Sequence, residues 1–149
     1  FRPHTSGRSL GHSGAIPHEH PVWHEFPQDG FADWQFFPMM TGTVSLIRDE
    51  DMPEFAPILE LIPSFKLIKR KSLLSEYRVG QGRLMICGFH LREDDPASVW
   101  MRHILLEYLG RRDFADAPEW QTDKLLSRLN AGVQADTGKK IDAGGRPVD

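Results

Sequence analysis

Three histidines, His18, His20 and His24, fall within seven residues of one another, and neutral imidazole is a common transition-metal ligand. Pro17 and Pro21 bracket the first two and exclude a regular helix, so no His-x-x-x-His face can form there. On a strand His18 and His20 share a side, which supplies two ligands and leaves a third, with its orienting carboxylate, to come from elsewhere. The segment therefore reads as a loop whose histidines bond to backbone, and neither a metal nor another cofactor is expected. A small stand-alone hydrolase or metal-dependent enzyme built on His18, His20 and His24 is the competing reading.

Cys87 precedes Gly88 at the end of the run Leu84 to Phe89, where a nucleophile on a tight strand-to-helix turn would stand. No glycine lies two residues before it, an acidic loop rather than a helix follows, and His90, three positions on, leaves the opposite face of a strand. Cys87 is expected to be a small buried hydrophobe. The acidic groups 49–51 and 93–95, with Asp113 and Asp116, do not form the facing carboxyl pair that glycoside hydrolysis needs. The 93–95 group suits a helix N-terminus and the 49–51 group a solvated loop. No catalytic residue is assigned on this chain.

A different chemistry is offered by Trp23, Phe26, Phe31, Trp34, Phe36 and Phe37, with Asp33 and Gln35 interleaved. Aromatic faces pack against the C–H faces of sugars, while carboxylate and amide groups take hydroxyl hydrogen bonds. Asp33, Trp34 and Gln35, together with His20 and Trp23, are the candidate substrate-binding residues. The structural alternative is that Trp34, Phe36 and Phe37 pack onto a sheet, since aromatic side chains bury large areas.

Residues 1–30 hold five of the seven histidines among Gly, Ser and Pro, which marks irregular backbone with one short apolar stretch at Gly14-Ala15-Ile16. Thr43 to Ile47 is a β-branched run, and Pro57 to Pro63 is a short apolar run closed by proline at both ends; both read as strands. Leu73 to Arg78 and Arg83 to His90 are joined by Val79-Gly80-Gln81-Gly82, a hairpin whose glycines permit a tight reversal. Asp94 or Asp95 can then cap a helix with Pro96 in its first turn, apolar residues at 97, 100, 101, 104, 105, 108 and 109, and Gly110 at its end. A shorter helix is expected from Thr122 or Asp123 to a stop near Gly132.

These elements describe a small α/β domain, its sheet mostly parallel or mixed, with a C-terminal β-hairpin and one or two covering helices. Residues 1–130 form the module, with 1–30 its loop-rich start, and 131–149, poor in apolar residues, are expected to be a flexible tail or linker. A formal net charge of -3 excludes a broad cationic surface for nucleic acid or an anionic membrane. The longest apolar runs, such as Leu84-Met85-Ile86-Cys87, are far shorter than the roughly 20 residues of a membrane span. The chain opens on Phe1, shows no leader pattern and is expected to be a fragment; its single cysteine does not decide a compartment.

The order His20-Pro21, Phe26-Pro27, Asp33-Trp34-Gln35, Pro57-Ile58 and Val79-Gly80-Gln81-Gly82-Arg83-Leu84 resembles the C-terminal region of large bacterial family 2 glycoside hydrolases, over about Leu10 to Leu109. That resemblance implies a flavodoxin-like, glutamine amidotransferase-like accessory domain without the amidotransferase nucleophile. It also implies catalytic glutamates on a barrel elsewhere in the parent polypeptide, and a secreted or periplasmic bacterial protein. The implied function is a non-catalytic accessory module whose partners are the parent glycosidase domains and a carbohydrate. The family often carries two further tryptophans after Trp34-Gln35, where this chain has Phe36 and Phe37.

Overall fold

The computed structural model describes residues 2–3, 14–41, 43–48, 52–62, 69–111 and 116–137. Strand β5 (Lys71–Val79) is the spine of the sheet, with β4 (Pro57–Ile62) antiparallel along one edge over Lys71 to Ser75. Because that edge is taken, β3 (Val44–Ile47) and β6 (Gly82–Cys87) must share the other one. There β3 pairs with Lys71 and Ser72, and β6 with Leu74 to Val79. Strand β2 (Gly14–Pro17) extends the sheet beyond β4, and the two-residue β1 (Arg2–Pro3) lies beyond β3. Gly80, at φ +56°, turns the β5–β6 hairpin from the left-handed region that glycine adopts at no steric cost.

The small α/β module with its hairpin and covering helices is the fold observed, but all the named strand pairings are antiparallel, so the mostly parallel, flavodoxin-like order is corrected. The reason lies in the connections. A parallel return needs a crossover of about a dozen residues or more, usually a helix, whereas 63–70 and 80–81 leave only eight and two residues between the strands that pair on either side of β5. Among the described residues the one parallel contact is an isolated bridge of Arg78 with Glu119, where the segment 118–120 continues the edge that β4 leaves free.

Helix α2 (Pro96–Gly110) starts and stops on the residues expected of it: the Asp95 carboxylate accepts from Ser98 N at 2.8 Å, and Gly110 is the last helical residue. Asp95 Oδ2 also takes the Ser98 hydroxyl at 2.6 Å, so Asp95→Ala is expected to cost about 1 kcal/mol. A lower urea midpoint with an unchanged slope would report that loss. Below α2, the main core joins Trp23, Phe26, Phe36 and Met39 to Leu59, Leu61 and Leu74 of the sheet and to Met101, Ile104, Leu105 and Tyr108 of α2. Trp100 and Leu109, counted with the core by spacing, are instead 44% and 39% exposed.

The opposite sheet face carries a smaller cluster of Leu46, Tyr77 and Trp120, with the last two rings edge-to-face at 4.9 Å and partly covered by Leu125 of α3 (Thr122–Thr137). Helix α3 runs through Gly132 to Thr137 rather than stopping at the glycine, because one interior glycine costs a helix only about 1 kcal/mol. The remainder of the expected tail, 138–149, lies outside the described residues.

Candidate functional site

Strand β5 carries Glu76 on the face that meets α2, an acidic side chain only 2% exposed. A bulge in the β4–β5 ladder shifts the register between Pro57 and Glu60, which brings Ser72 and Ser75 to one face with their hydroxyls in contact and leaves Leu74 and Glu76 on the other. Three elements converge on Glu76. Tyr108 of α2 donates its hydroxyl to Oε2 at 2.8 Å, His20 donates Nε2–H to the same oxygen at 3.2 Å, and Arg83 of β6 donates to Oε1 at 3.0 Å. Val22 N–H donates to His20 Nδ1 at 3.2 Å, so Nδ1 is the acceptor and the ring proton sits on Nε2, toward Glu76. The His20 and Tyr108 rings meet edge-to-face at 5.3 Å. Burial pushes the Glu76 carboxyl up, and the bonds from His20, Tyr108 and Arg83 outweigh it, holding the group below the usual carboxylate range.

A second carboxylate, Glu60 of β4, is held by Arg70 through two bonds of 2.7 and 2.8 Å and by His18 at 3.1 Å. The Arg70 bond is the main cause of its lowered pKa, opposed by burial and aided by His18. His18 and His20 thus serve different carboxylates on different strands, and His24 is exposed. Among the described residues no three His, Cys, Asp or Glu side chains come together as a metal site. His90 contacts the Thr41 carbonyl through Nδ1. Cys87 is exposed at the end of β6 rather than buried as expected, yet enough protein surrounds its sulfur to push the thiol pKa up, so it is not a poised thiolate. Of the acidic groups, Asp95 caps α2, Asp94 pairs with Arg92 and Glu93 with Arg102; 49–51 and Asp113 lie outside the described residues.

The depression beside this polar cluster, lined by Pro21, Val22, Ile104 and Tyr108, is open to solvent and has room for about one water-sized guest. Ordinary ligand pockets begin at roughly 300 Å³. This buried carboxylate joins the three elements that supply its donors.

The aromatic group divides. Trp23 (5% exposed), Phe26 (3%) and Phe36 (0%) form a mutually tilted set of rings in the core, and the Trp23 indole N–H donates to the His18 carbonyl at 2.9 Å. Trp34 (87%), Phe37 (68%) and Phe31 (55%) face outward. Trp34 opens a short 3-10 turn, Trp34–Phe36, that leads into α1 (Phe37–Met40), and Phe36 and Met39 anchor this segment in the core. Gln35 fastens it further by donating Nε2–H to the Pro27 carbonyl. Asp33, just before the turn, is half-buried, makes no side-chain cap, and keeps Oδ1 without a donor. The five candidate contacts therefore fall into two places: Asp33, Trp34 and Gln35 together at the surface, His20 and Trp23 inside. Glu76 went unnoticed in the sequence, although an acidic residue in the middle of a strand otherwise rich in apolar positions was its signal.

An antiparallel sheet covered by α2, with Trp34, Phe37 and Phe31 exposed on one short segment, makes a small α/β module. Over residues 2–130 the chain matches the family described as a domain of unknown function, DUF8487, and it belongs to that family. No curated protein matches it. Among the described residues no helix is long and apolar enough to cross a membrane.

Proposed function

We propose that this chain is a non-catalytic accessory module of a carbohydrate-active glycoside hydrolase, with the catalytic glutamates elsewhere in the parent polypeptide and the 31–37 segment in contact with glycan. The observation that carries the reading is Trp34, 87% exposed on a turn that Gln35 and Phe36 hold in place, next to the Asp33 carboxylate. Leaving so large an apolar ring in water is unfavourable unless something covers it, and a pyranose offers both a C–H face for the indole and hydroxyl donors for Asp33. The ordered motifs that resemble family 2 glycoside hydrolases support the same parent class.

Trp34→Ala is expected to weaken binding of neutral oligosaccharides by about tenfold or more in calorimetry. Its unfolding midpoint should stay put, since substitutions at exposed sites generally fall within about 0.5 kcal/mol. Unchanged affinity in this variant would remove the glycan contact and leave only packing against the parent domains.

A further inference from the structure

We infer that the outer face of α2 is an interface between two copies of this chain, with the two helices running parallel. At about 3.6 residues per turn, Ser98, Met101, Ile104, Leu105 and Tyr108 share one side of the helix, and all five are buried. The opposite side is not simply polar. Val99 and Leu106 lie there, 41% and 65% exposed, in line with His103 and Gly110, and the partly exposed Trp100 and Leu109 border them. A helix that carries apolar residues on opposite sides is one that packs on both.

Spacing and charge select the occupant. Val99, His103, Leu106 and Gly110 follow one another at intervals of four, three and four residues, the alternation of a coiled-coil seam with Val99 and Leu106 at d and His103 and Gly110 at a. That register puts Arg102 at g and Glu107 at the following e, with Leu109 and Trp100 at the other g and e. In a parallel pair each g faces the following e of the other helix, so Arg102 of either copy meets Glu107 of its partner and two ion pairs flank the seam. In an antiparallel pair g faces g and e faces e, and no cation meets an anion. Charge complementarity therefore favours a second copy in the parallel arrangement. The contacts these groups make within one chain compete weakly: Arg102 is 3.6 Å from Glu93, and Glu107 is 3.5 Å from His103 and 3.2 Å from Arg111, all on side chains open to solvent, where an ion pair is worth little. With only a short seam, and His103 and Gly110 rather than aliphatic residues at a, the dimer is weak and forms reversibly.

The full 149-residue chain is taken through sedimentation equilibrium at low salt. A monomer–dimer equilibrium is expected, with a Kd on the order of 10 to 100 μM. Leu106→Glu sets two carboxylates against each other in the middle of the seam and should weaken the dimer by about tenfold or more. Its urea midpoint should remain that of the wild-type chain, because the side chain is exposed. Arg102→Glu and Glu107→Arg should each weaken the dimer by about threefold or more, and the double variant should recover it, since every pair across the seam is again of opposite sign. A monomer up to about 500 μM would overturn the inference. So would a dimer that Leu106→Glu leaves unchanged, which would place the contact elsewhere on the chain. A double variant no tighter than the single ones would overturn the parallel pairing.

Discussion

Gly88→Ala is expected to cost about 3 kcal/mol or more and to leave little folded protein at 37 °C. A Cβ on Gly88 would stand 2.0 Å from the Val44 carbonyl oxygen and 3.1 Å from its carbon, with the Leu73 carbonyl oxygen at 3.4 Å. All three are backbone atoms, so no side chain can swing away to make room. The cause is topological. Strands β3 and β6 lie end to end along one edge of β5, and Gly88 is the joint between them: it donates to Leu73 O at 2.6 Å and accepts from Val44 N at 3.2 Å. An added methyl must separate β3 from the end of β6 or pull both away from β5, and either movement breaks ladder bonds. Gly110→Ala is the matched control, because nothing lies within 4 Å of its Cβ position and alanine is the better helix former. Urea titration should show a large fall in midpoint for Gly88→Ala and no fall for Gly110→Ala; equal midpoints would mean that the joint yields without loss.

The same joint shows where reading the residues in order succeeds and where it fails. Asp95, Pro96 and Gly110 carry local instructions, since a cap, a first-turn proline and a closing glycine act within one turn of where they stand, and α2 keeps those bounds. Gly80 at φ +56° is local in the same way, and so was the hairpin. Gly88 was read only as a neighbour of Cys87, because what it touches is contributed by β3, 44 residues earlier in the chain. The antiparallel pairing around β5 was legible in principle: connections of eight and two residues leave no room for a crossover helix, and that physical limit weighs more than a family likeness. The bulge was not legible, and it decides that Glu76 rather than its neighbours faces α2. Among the candidate contacts, Asp33, Trp34 and Gln35 share one segment in which Trp34 is the exposed side chain and the other two are half-buried, but residue type alone could not separate exposed Trp34 from buried Trp23. Trp100 departs from its expected burial in the opposite direction. Its position in the helical repeat looked like core, while its indole N–H is held at the edge of that core by the Glu25 carbonyl.

Glu76→Ala is expected to destabilise the fold by about 3 kcal/mol at pH 7, the scale for removing one partner from a buried charged cluster. The loss is large because the three donors differ in what they can do next. Arg83, 24% exposed, can turn to water, but Tyr108 is 2% exposed and the His20 side chain 11%, so both lose the Glu76 acceptor at places where water does not readily replace it. These bonds also tie the His20 segment and α2 to β5, so the damage extends to the loop that leads into Trp23 and the core. The pH dependence gives an independent check. The folded-state pKa of Glu76 lies below its unfolded value, so across that interval the unfolded chain binds more protons and stability rises with pH. The contribution is complete above the unfolded glutamate value of about 4.3 and disappears as pH falls through the folded one. The difference between the wild-type chain and Glu76→Ala should therefore be widest at neutral pH and narrow below about pH 4. Glu60, also lowered through Arg70 and His18, titrates in both proteins and cancels in that difference. A gap that stays constant from pH 7 to pH 3 would show that Glu76 acts through its bulk alone, and its charge would then have no part in holding α2 to the sheet.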